Sequence, residues 1–190
     1  MNNSSIYIAG FFCDEDKSSL DELYKELREN DISLIGRNLS GGIYNSALDF
    51  ADLEIIAFSF ELLKNFIISG GYDVFKHYIL RFWKIIQKDR SGRVPFTISI
   101  EGIPTSNGTE NVKCKISGLL SKNQKEQAVI KTFELANQIE AHQYELLKRS
   151  QYHNMFNAHV FSFDPEDNSM SEIDIEKEII KQMNNYDSEM

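Results

Sequence analysis

The chain has 190 residues, enough for one domain of ordinary size or for one domain with a short appendage. A hydrophobic share of 42% and only three prolines exclude a disordered, collagenous or Pro-rich linker protein. A net charge of −9 disfavours nucleic acids and anionic membranes as partners, unless a local basic patch overrides the average.

The N-terminal segment, MNNSSIYIAG, predicts a cytoplasmic location. It has no basic region and no long apolar run, so we expect no signal peptide and a reducing compartment. Cys13 and Cys114 are too few and too far apart for a disulfide scaffold or a CxxC zinc site, and we expect both to be packing residues. The most apolar stretch, residues 47–70, contains five charged residues, which excludes a membrane-spanning helix.

The chain opens with a pattern that predicts a β-α-β unit. Ser5–Phe12 and Ile32–Leu39 are apolar and β-rich, as in strands. Between them, leucines at helical spacing indicate an amphipathic helix. Ser18 and Ser19 each precede an acidic residue by three positions, as in a capping box. Asn30 is the expected left-handed cap at the end of this helix.

Two further helices are predicted, each bounded by glycines. Residues 47–69 are apolar on nearly every side of a helical projection, so we expect a central, buried helix that ends at Gly70 and Gly71. The helix over residues 73–88 has an apolar half and a basic half.

The second half of the chain predicts a hairpin, a long helix and a terminal element. Pro95–Glu101 and Val112–Gly118 alternate apolar and polar residues, so we expect a long-looped hairpin with one core face and one solvated face. A capping box at Ser121 opens a helix that is predicted to run to about Arg149. A strand at Asn157–Phe163 follows. An acidic helix from Ser171 comes last, with an apolar side formed by Ile175, Ile179, Ile180 and Met183.

Together these elements predict an α+β fold with a mostly antiparallel sheet. The expected order is β-α-β, two helices, a β-hairpin, a long helix and a C-terminal acidic helix. We assign residues 1–150 to one α+β domain. Residues 151–190 are expected to form an extension docked on that domain.

No catalytic signature is recognisable, and we predict neither a metal nor another cofactor. His142, His153 and His159 lie close in sequence and could converge with Glu145 or Asp164, but their spacing matches no metal-ligand signature. His142 falls within an apolar stripe, which favours a hydrogen-bonded core histidine.

Two other motifs have structural explanations that we prefer. The acidic residues 164–168 suggest calcium, but Ser169 and Ile175 stand where an EF-hand needs glycine and glutamate, so we expect a solvated acidic turn at a helix N-terminus. The glycine pairs at 41–42 and 70–71 are not phosphate-binding loops, and we interpret them as turns and helix caps.

Charge is strongly segregated along the chain. Basic and acidic residues number 4 and 11 in residues 1–60, 14 and 9 in 61–160, and 2 and 9 in 161–190, which gives −7, +5 and −7. The basic helix and its C-terminal end supply the candidate interaction surface: Lys76, Arg81, Lys84, Lys88, Arg90 and Arg93. An acidic partner, a nucleic acid or the chain's own acidic helix would suit this surface, and an ordinary solvated helix face is the alternative.

The order of elements resembles the effector-associated constant component family of bacterial conflict and defence systems. The resemblance covers roughly Ser5–Asn137, and its markers are the Leu-rich first helix, two SGG breaks, YILRFWKII and the hairpin. It implies a non-enzymatic adaptor that accompanies an effector enzyme. We therefore expect a protein partner, with homo-oligomerisation through the apolar or the long helix also open.

A second resemblance points to an enzyme. SIYIAGFF followed by a helix, a strand and ADLEIIAFSF is similar to the start of TIR or nucleoside deoxyribosyltransferase domains. That resemblance implies a third parallel strand at ADLEIIAFSF and makes Glu61 a candidate catalytic carboxylate. The predicted antiparallel hairpin in the later chain argues against it.

Overall fold

The computed structural model describes residues 5–10, 17–38, 54–86, 95–148 and 157–188. Within these ranges the chain forms seven strands and five helices. The strands are β1 (Ser5–Gly10), β2 (Ser33–Asn38), β3 (Glu54–Ser59), β4 (Phe96–Thr105), β5 (Gly108–Ile116), β6 (His159–Asp164) and β7 (Ser169–Glu172). The helices are α1 (Lys17–Glu29), α2 (Phe60–Ile68), α3 (Tyr72–Ile86), α4 (Lys122–Glu140) and α5 (Ile175–Ser188).

All seven strands belong to one mixed sheet in the order β2-β1-β3-β4-β5-β6-β7. Strand pairs connected through helices are parallel: β1 with β2, β3 with β4, and β5 with β6. The pairs β1–β3, β4–β5 and β6–β7 are antiparallel. The α+β class is confirmed and so is the opening β-α-β unit, but the expectation of a mostly antiparallel sheet is wrong. A crossover helix returns the chain in the same direction, so each such connection adds a parallel pair.

The prediction of one central helix over residues 47–69 is wrong for residues 54–59, which form a strand, while residues 60–68 are helical and residues 47–53 lie outside the described residues. Residues 54–59 form β3, both faces of which are buried, and α2 begins directly afterwards. The side chain of Ser59 accepts a hydrogen bond from the N–H of Leu62 at 3.2 Å, so Ser59 caps α2. A short apolar run has the same sequence pattern in a buried strand and in a buried helix. Ser59, as the N-cap residue, marks the point where the strand ends and the helix begins.

The first helix is confirmed in place, although its caps differ from the prediction. Ser18 and Ser19 lie inside α1, so neither is the N-cap. At the other end Asp31, not Asn30, has the left-handed conformation, with φ 57°. The N–H of Ile32 donates to the carbonyl of Leu27 at 3.0 Å, which closes the helix before β2.

The hairpin of β4 and β5 is tighter than predicted. Thr105 pairs with Gly108, so only Ser106 and Asn107 form the turn. The register shifts between Ile100 and Ile103, and Gly102 there has a positive φ of 73°. A β-bulge of this kind lets both strands extend through the segment that was expected to be a loop.

The core lies between the sheet and the helices. Phe58 on β3 packs edge-on to Phe75 on α3 at a centroid distance of 4.9 Å, and Phe75 stacks on Phe133 of α4 at 5.7 Å. Trp83 stacks on Phe96 at 4.3 Å. These rings connect the middle strands to α3 and α4, and such aromatic pairs contribute about 0.5–1.5 kcal/mol each beyond area burial.

The side chains at the centre of the second face of the sheet are also buried. Thr97 and Ser99 on β4 and Lys115 on β5 are buried, Lys115 at 8% exposure. Ala9, Ile55 and Ala57 form a smaller apolar cluster on β1 and β3. The prediction of a solvated second face on the hairpin is therefore wrong.

The long helix is shorter than predicted and the terminal segment contains an extra strand. α4 begins with the predicted capping box at Ser121 but ends at Glu140, not near Arg149. The strand predicted at Asn157–Phe163 is confirmed as β6. β7 follows it, so the terminal helix begins at Ile175 and not at Ser171. Through β6 and β7, the described part of the predicted extension pairs into the same sheet.

Candidate functional site

Lys76, the first residue of the predicted basic surface, is bound to two acidic side chains. Its Nζ lies 3.0 Å from Oδ1 of Asp73 and 2.9 Å from Oε1 of Glu126 on α4. The hydrogen bond to Glu126, and then that to Asp73, raise the pKa of the Lys76 ammonium. In the structure Lys76 therefore helps to hold α4 on α3.

Arg81 makes the corresponding connection to α1. Its Nη1 lies 2.9 and 2.7 Å from the two carboxylate oxygens of Glu26, and its Nη2 lies 3.9 Å from Glu22. Lys84 is exposed. The three other cations of the predicted surface lie outside the described residues: Lys88, Arg90 and Arg93.

The C-terminal helix α5 is positioned by its first residues. The Asp174 carboxylate accepts a hydrogen bond from the N–H of Lys177 at 3.2 Å, and Lys177 Nζ lies 3.1 Å from its other oxygen. These bonds lower the pKa of the Asp174 carboxyl. Ile175, the next residue, is buried at 1% exposure and anchors the helix. An acidic cap and an apolar anchor thus fix where α5 begins.

Beyond this anchor the apolar side of α5 becomes accessible. Ile179 is half-buried, and Ile180 is 48% exposed. Over residues 175–181, none of the other described elements packs extensively against α5. Met183 of the predicted apolar side lies outside the residues whose side chains are described. The structure thus presents an amphipathic helix whose apolar side is only partly covered.

A separate cleft of about 920 Å³ lies beside the end of α4 and the start of β6. His159 and Glu110 line this cleft; Nδ1 of His159 lies 2.6 Å from Oε1 of Glu172, and its Nε2 lies 3.5 Å from Oε2 of Glu110. The second oxygen of Glu172 accepts from the N–H of Leu147 at 2.9 Å. Burial raises the pKa of the nearby Tyr144 phenol. The Glu172 carboxylate therefore fastens the segment after α4 to β6, a role that the sequence did not reveal.

Two of the three histidines considered for a metal line this cleft. His142 and His159 lie there together with Glu145, while His153 lies outside the described residues. Within the described part of the chain, no three His, Cys, Asp or Glu side chains are placed to hold a metal ion. His142 is exposed, with a φ of 56° just after α4. It ends the helix and is not the core residue that was predicted.

The acidic residues after β6 form a turn between two strands. The Asp164 carboxylate accepts from the N–H groups of Glu166 and Asp167, at 2.8 and 3.3 Å, and Asn168 has a φ of 51°. A solvated acidic turn was predicted, and Glu166 and Asp167 are exposed. The turn leads into β7 and not into a helix.

The glycine and cysteine predictions are borne out where the structure describes them. Gly70, with a φ of 75°, and Gly71 close α2, and the N–H of Gly71 donates to the carbonyl of Phe66 at 2.8 Å. Cys114 is fully buried, and burial raises the pKa of its thiol to about 12, so it is a packing residue and not a nucleophile. Gly41, Gly42 and Cys13 lie outside the described residues.

Glu61, the carboxylate singled out by the second resemblance, lies in the first turn of α2 and is exposed. The strand which that resemblance requires is present as β3. However, β3 runs antiparallel to β1, whereas the resemblance implies a third parallel strand.

No family model, curated protein or solved structure matches the chain. Within the described residues, none of the helices is both long enough and apolar enough to span a membrane.

Proposed function

We propose that this chain is a non-enzymatic protein-interaction module that acts as an adaptor. The observation that carries the proposal is α5, which is anchored at Ile175 and presents Ile180 at 48% exposure. Amphipathic helices commonly bind by laying an apolar side into a groove of a partner. An accessible isoleucine on a capped, anchored helix suits this mode of recognition.

Charge indicates the kind of groove that would accept α5. Residues 161–190 carry 2 basic and 9 acidic residues. Six of the acidic residues lie outside α5, which itself has three acidic and two basic residues. A complementary partner would present an apolar groove to α5 and basic residues to the acidic segment before it, and salt would weaken that attraction. We therefore propose a grooved protein with basic residues beside the groove as the partner.

The basic surface of α3 is the second part of the proposal. Because Lys76 and Arg81 are paired with other helices, Lys84 is the described cation that is best placed to meet an acidic partner. Lys88, Arg90 and Arg93 lie outside the described residues, and we propose, from the sequence, that they extend this surface. The resemblance to effector-associated constant components supports an effector enzyme of a bacterial defence system as the partner, in the cytoplasm.

The experiment identifies the partner through α5 itself. A photo-crosslinking amino acid is placed at position 180 of the full chain in its native cell, and at exposed position 68 as the matched control. We expect one protein to be captured from position 180 only, and its affinity for the purified chain to fall as salt is raised. Equal capture from both positions would contradict the proposal.

The alternative to the adaptor proposal is an enzymatic activity. The specific observation in its favour is that residues 54–59 form a strand where the TIR-like or deoxyribosyltransferase-like hypothesis places one, although this strand is antiparallel to β1 and not parallel. Incubating the purified chain with nucleotides and deoxynucleosides tests it. Turnover that is lost in Glu61→Gln would support the enzyme and overturn the adaptor proposal.

A further inference from the structure

The segment that follows α4 forms one wall of the cleft. Residues 141–148 have no regular secondary structure, and they begin where His142 takes its positive φ. Tyr144 and Leu146 are half-buried and pack against the core, with the Tyr144 ring edge-on to Phe161 of β6 at a centroid distance of 5.5 Å. The other six residues of the segment are exposed. We call residues 141–148 the strap, because two side chains hold an otherwise exposed segment against the sheet.

Glu172, the last residue of β7, fastens the strap to the sheet. Its side chain is only 4% exposed. One carboxylate oxygen lies 2.6 Å from Nδ1 of His159 on β6, and the other accepts the N–H of Leu147 at 2.9 Å. A buried carboxylate that loses one of its hydrogen-bond donors has an unfavourable desolvation free energy, so each contact of Glu172 is favoured while the other is in place. The strap and β7 therefore stabilise each other.

The start of α5 depends on the same end of β7. Ile173, next to Glu172, donates its N–H to the carbonyl of Val160 at 2.7 Å. Asp174 then caps α5, and Ile175 is its buried anchor. β7 has only four residues and pairs with β6 at the edge of the sheet. Because so short an edge strand has few backbone hydrogen bonds of its own, the side-chain contacts of Glu172 contribute to holding it in place.

We propose that the strap, β7 and the start of α5 form one cooperative unit in which Glu172 is the positioning residue. When the strap leaves the sheet, Glu172 loses a donor, β7 loosens, and the cap and anchor of α5 are displaced with it. Since the strap is also a wall of the cleft, opening of the cleft and release of α5 are one event. The coupling itself rests on contacts within the chain, and only its use to control partner binding rests on the proposed function of α5.

Hydrogen exchange of single amides, followed by NMR on the full chain, measures this coupling. The N–H of Leu147 reports on the strap and the N–H of Lys177 reports on α5. We expect Glu172→Gln to raise both exchange rates by a similar factor of at least about ten, because it removes the buried charge to which the strap is bound. Glu134→Gln makes the same change at a side chain 47% exposed on α4 and is the matched control. It should leave both rates within about twofold of wild type.

A coupling free energy is reciprocal, so loosening α5 should also loosen the strap. Ile175→Ala removes the buried anchor of α5, and we expect it to raise the exchange rate of the Leu147 amide at least about fivefold. Ile180→Ala, the same change at an exposed position of the same helix, should leave the Leu147 amide unaffected. The amide of Leu62, which donates to Ser59 at the start of α2, should keep its rate in every variant, which shows that each variant is folded.

Four results would overturn the proposal. The first is a Leu147 amide that exchanges freely in the wild-type chain, and the second is a rise at Leu147 in Glu172→Gln with Lys177 unchanged. The third is a rise at Lys177 in Ile175→Ala that leaves Leu147 protected. The fourth is an equal rise at Leu62, which would show global destabilisation. Because no partner is present in this experiment, failure of the coupling and failure of the adaptor proposal are distinguishable.

Discussion

At the residue scale, Phe133 on α4 lies within the aromatic cluster that links the helices to the sheet. Its ring is fully buried, edge-on to Phe58 at 6.0 Å and stacked on Phe75 at 5.7 Å. Phe133→Ala removes the ring and leaves a cavity, so we expect a loss of about 3–5 kcal/mol in the free energy of unfolding. Urea denaturation measures this change in the free energy of unfolding. Ile68→Ala, at a site 79% exposed, should change stability by less than about 0.5 kcal/mol, and equal effects would contradict this packing.

Asp174 gives a pH dependence with a definite sign. Its hydrogen bonds to Lys177 lower the pKa of its carboxyl in the folded chain below 3.8. The cap therefore stabilises α5 fully above that value and is lost as the pH falls through the lower, folded pKa. We expect the carboxyl resonance of Asp174 to titrate below 3.8 in an NMR experiment, with fraying of the first turn of α5 over the same range. A normal titration midpoint would show that Asp174 does not cap the helix.

At the element scale, β7 and α5 have separable roles. Deleting residues 165–190 removes β7 together with Glu172, so the His159 ring and the Leu147 N–H lose the carboxylate that they bind. We expect this truncation to lose at least about 2 kcal/mol of stability, since it removes β7 from the sheet and takes the Glu172 carboxylate from the buried His159 ring. Deleting residues 176–190 leaves Ile175 and the sheet in place and should change stability little. Thermal unfolding of the two truncated chains compares their stabilities. Similar melting temperatures would contradict these separate roles of β7 and α5.

Elements whose signals are local could be predicted from the sequence. β1, α1 and β2 follow from apolar, β-rich runs and helical leucine spacing, and the capping box at Ser121 marks the start of α4. The end of α4 could not be predicted, because His142 takes the left-handed conformation that glycine usually marks. The strand β3 was expected only from the second resemblance, whereas the residue pattern indicated a helix. Its apolar residues are buried on both faces by the fold, so they show no alternation to distinguish a strand from a helix.

Only part of the candidate site could be predicted, because the contacts of its side chains depend on which elements pack together in the fold. The basic residues of α3 are evident in the sequence, but nothing local shows that Lys76 would bind Glu126 or that Arg81 would bind Glu26. The contact of His159 with Glu172 depends on the pairing of β6 with β7, which brings together residues 13 positions apart. The apolar side of α5 was predicted from its 3.6-residue period.

At the scale of the whole molecule, the basic and acidic segments of the chain are used in two different ways. Acidic residues of α1 and α4 neutralise Lys76 and Arg81 on α3, which fastens the helices to one another. The acidic C-terminal segment, by contrast, ends in a helix on which Ile180 is 48% exposed. The overall charge of −9 thus combines internal pairing with an acidic C-terminal segment that we propose for a partner.

The most direct test of the adaptor account is the affinity of two charge variants for the protein captured through position 180, measured by calorimetry. Ile180→Glu changes an isoleucine on α5, and Ile68→Glu places the same charge at an exposed isoleucine on α2. We expect Ile180→Glu to raise the Kd at least about tenfold, since a buried apolar anchor of a helix in a groove is typically worth more than 1 kcal/mol. Ile68→Glu should leave the Kd unchanged. Equal Kd values for the two variants would contradict the account.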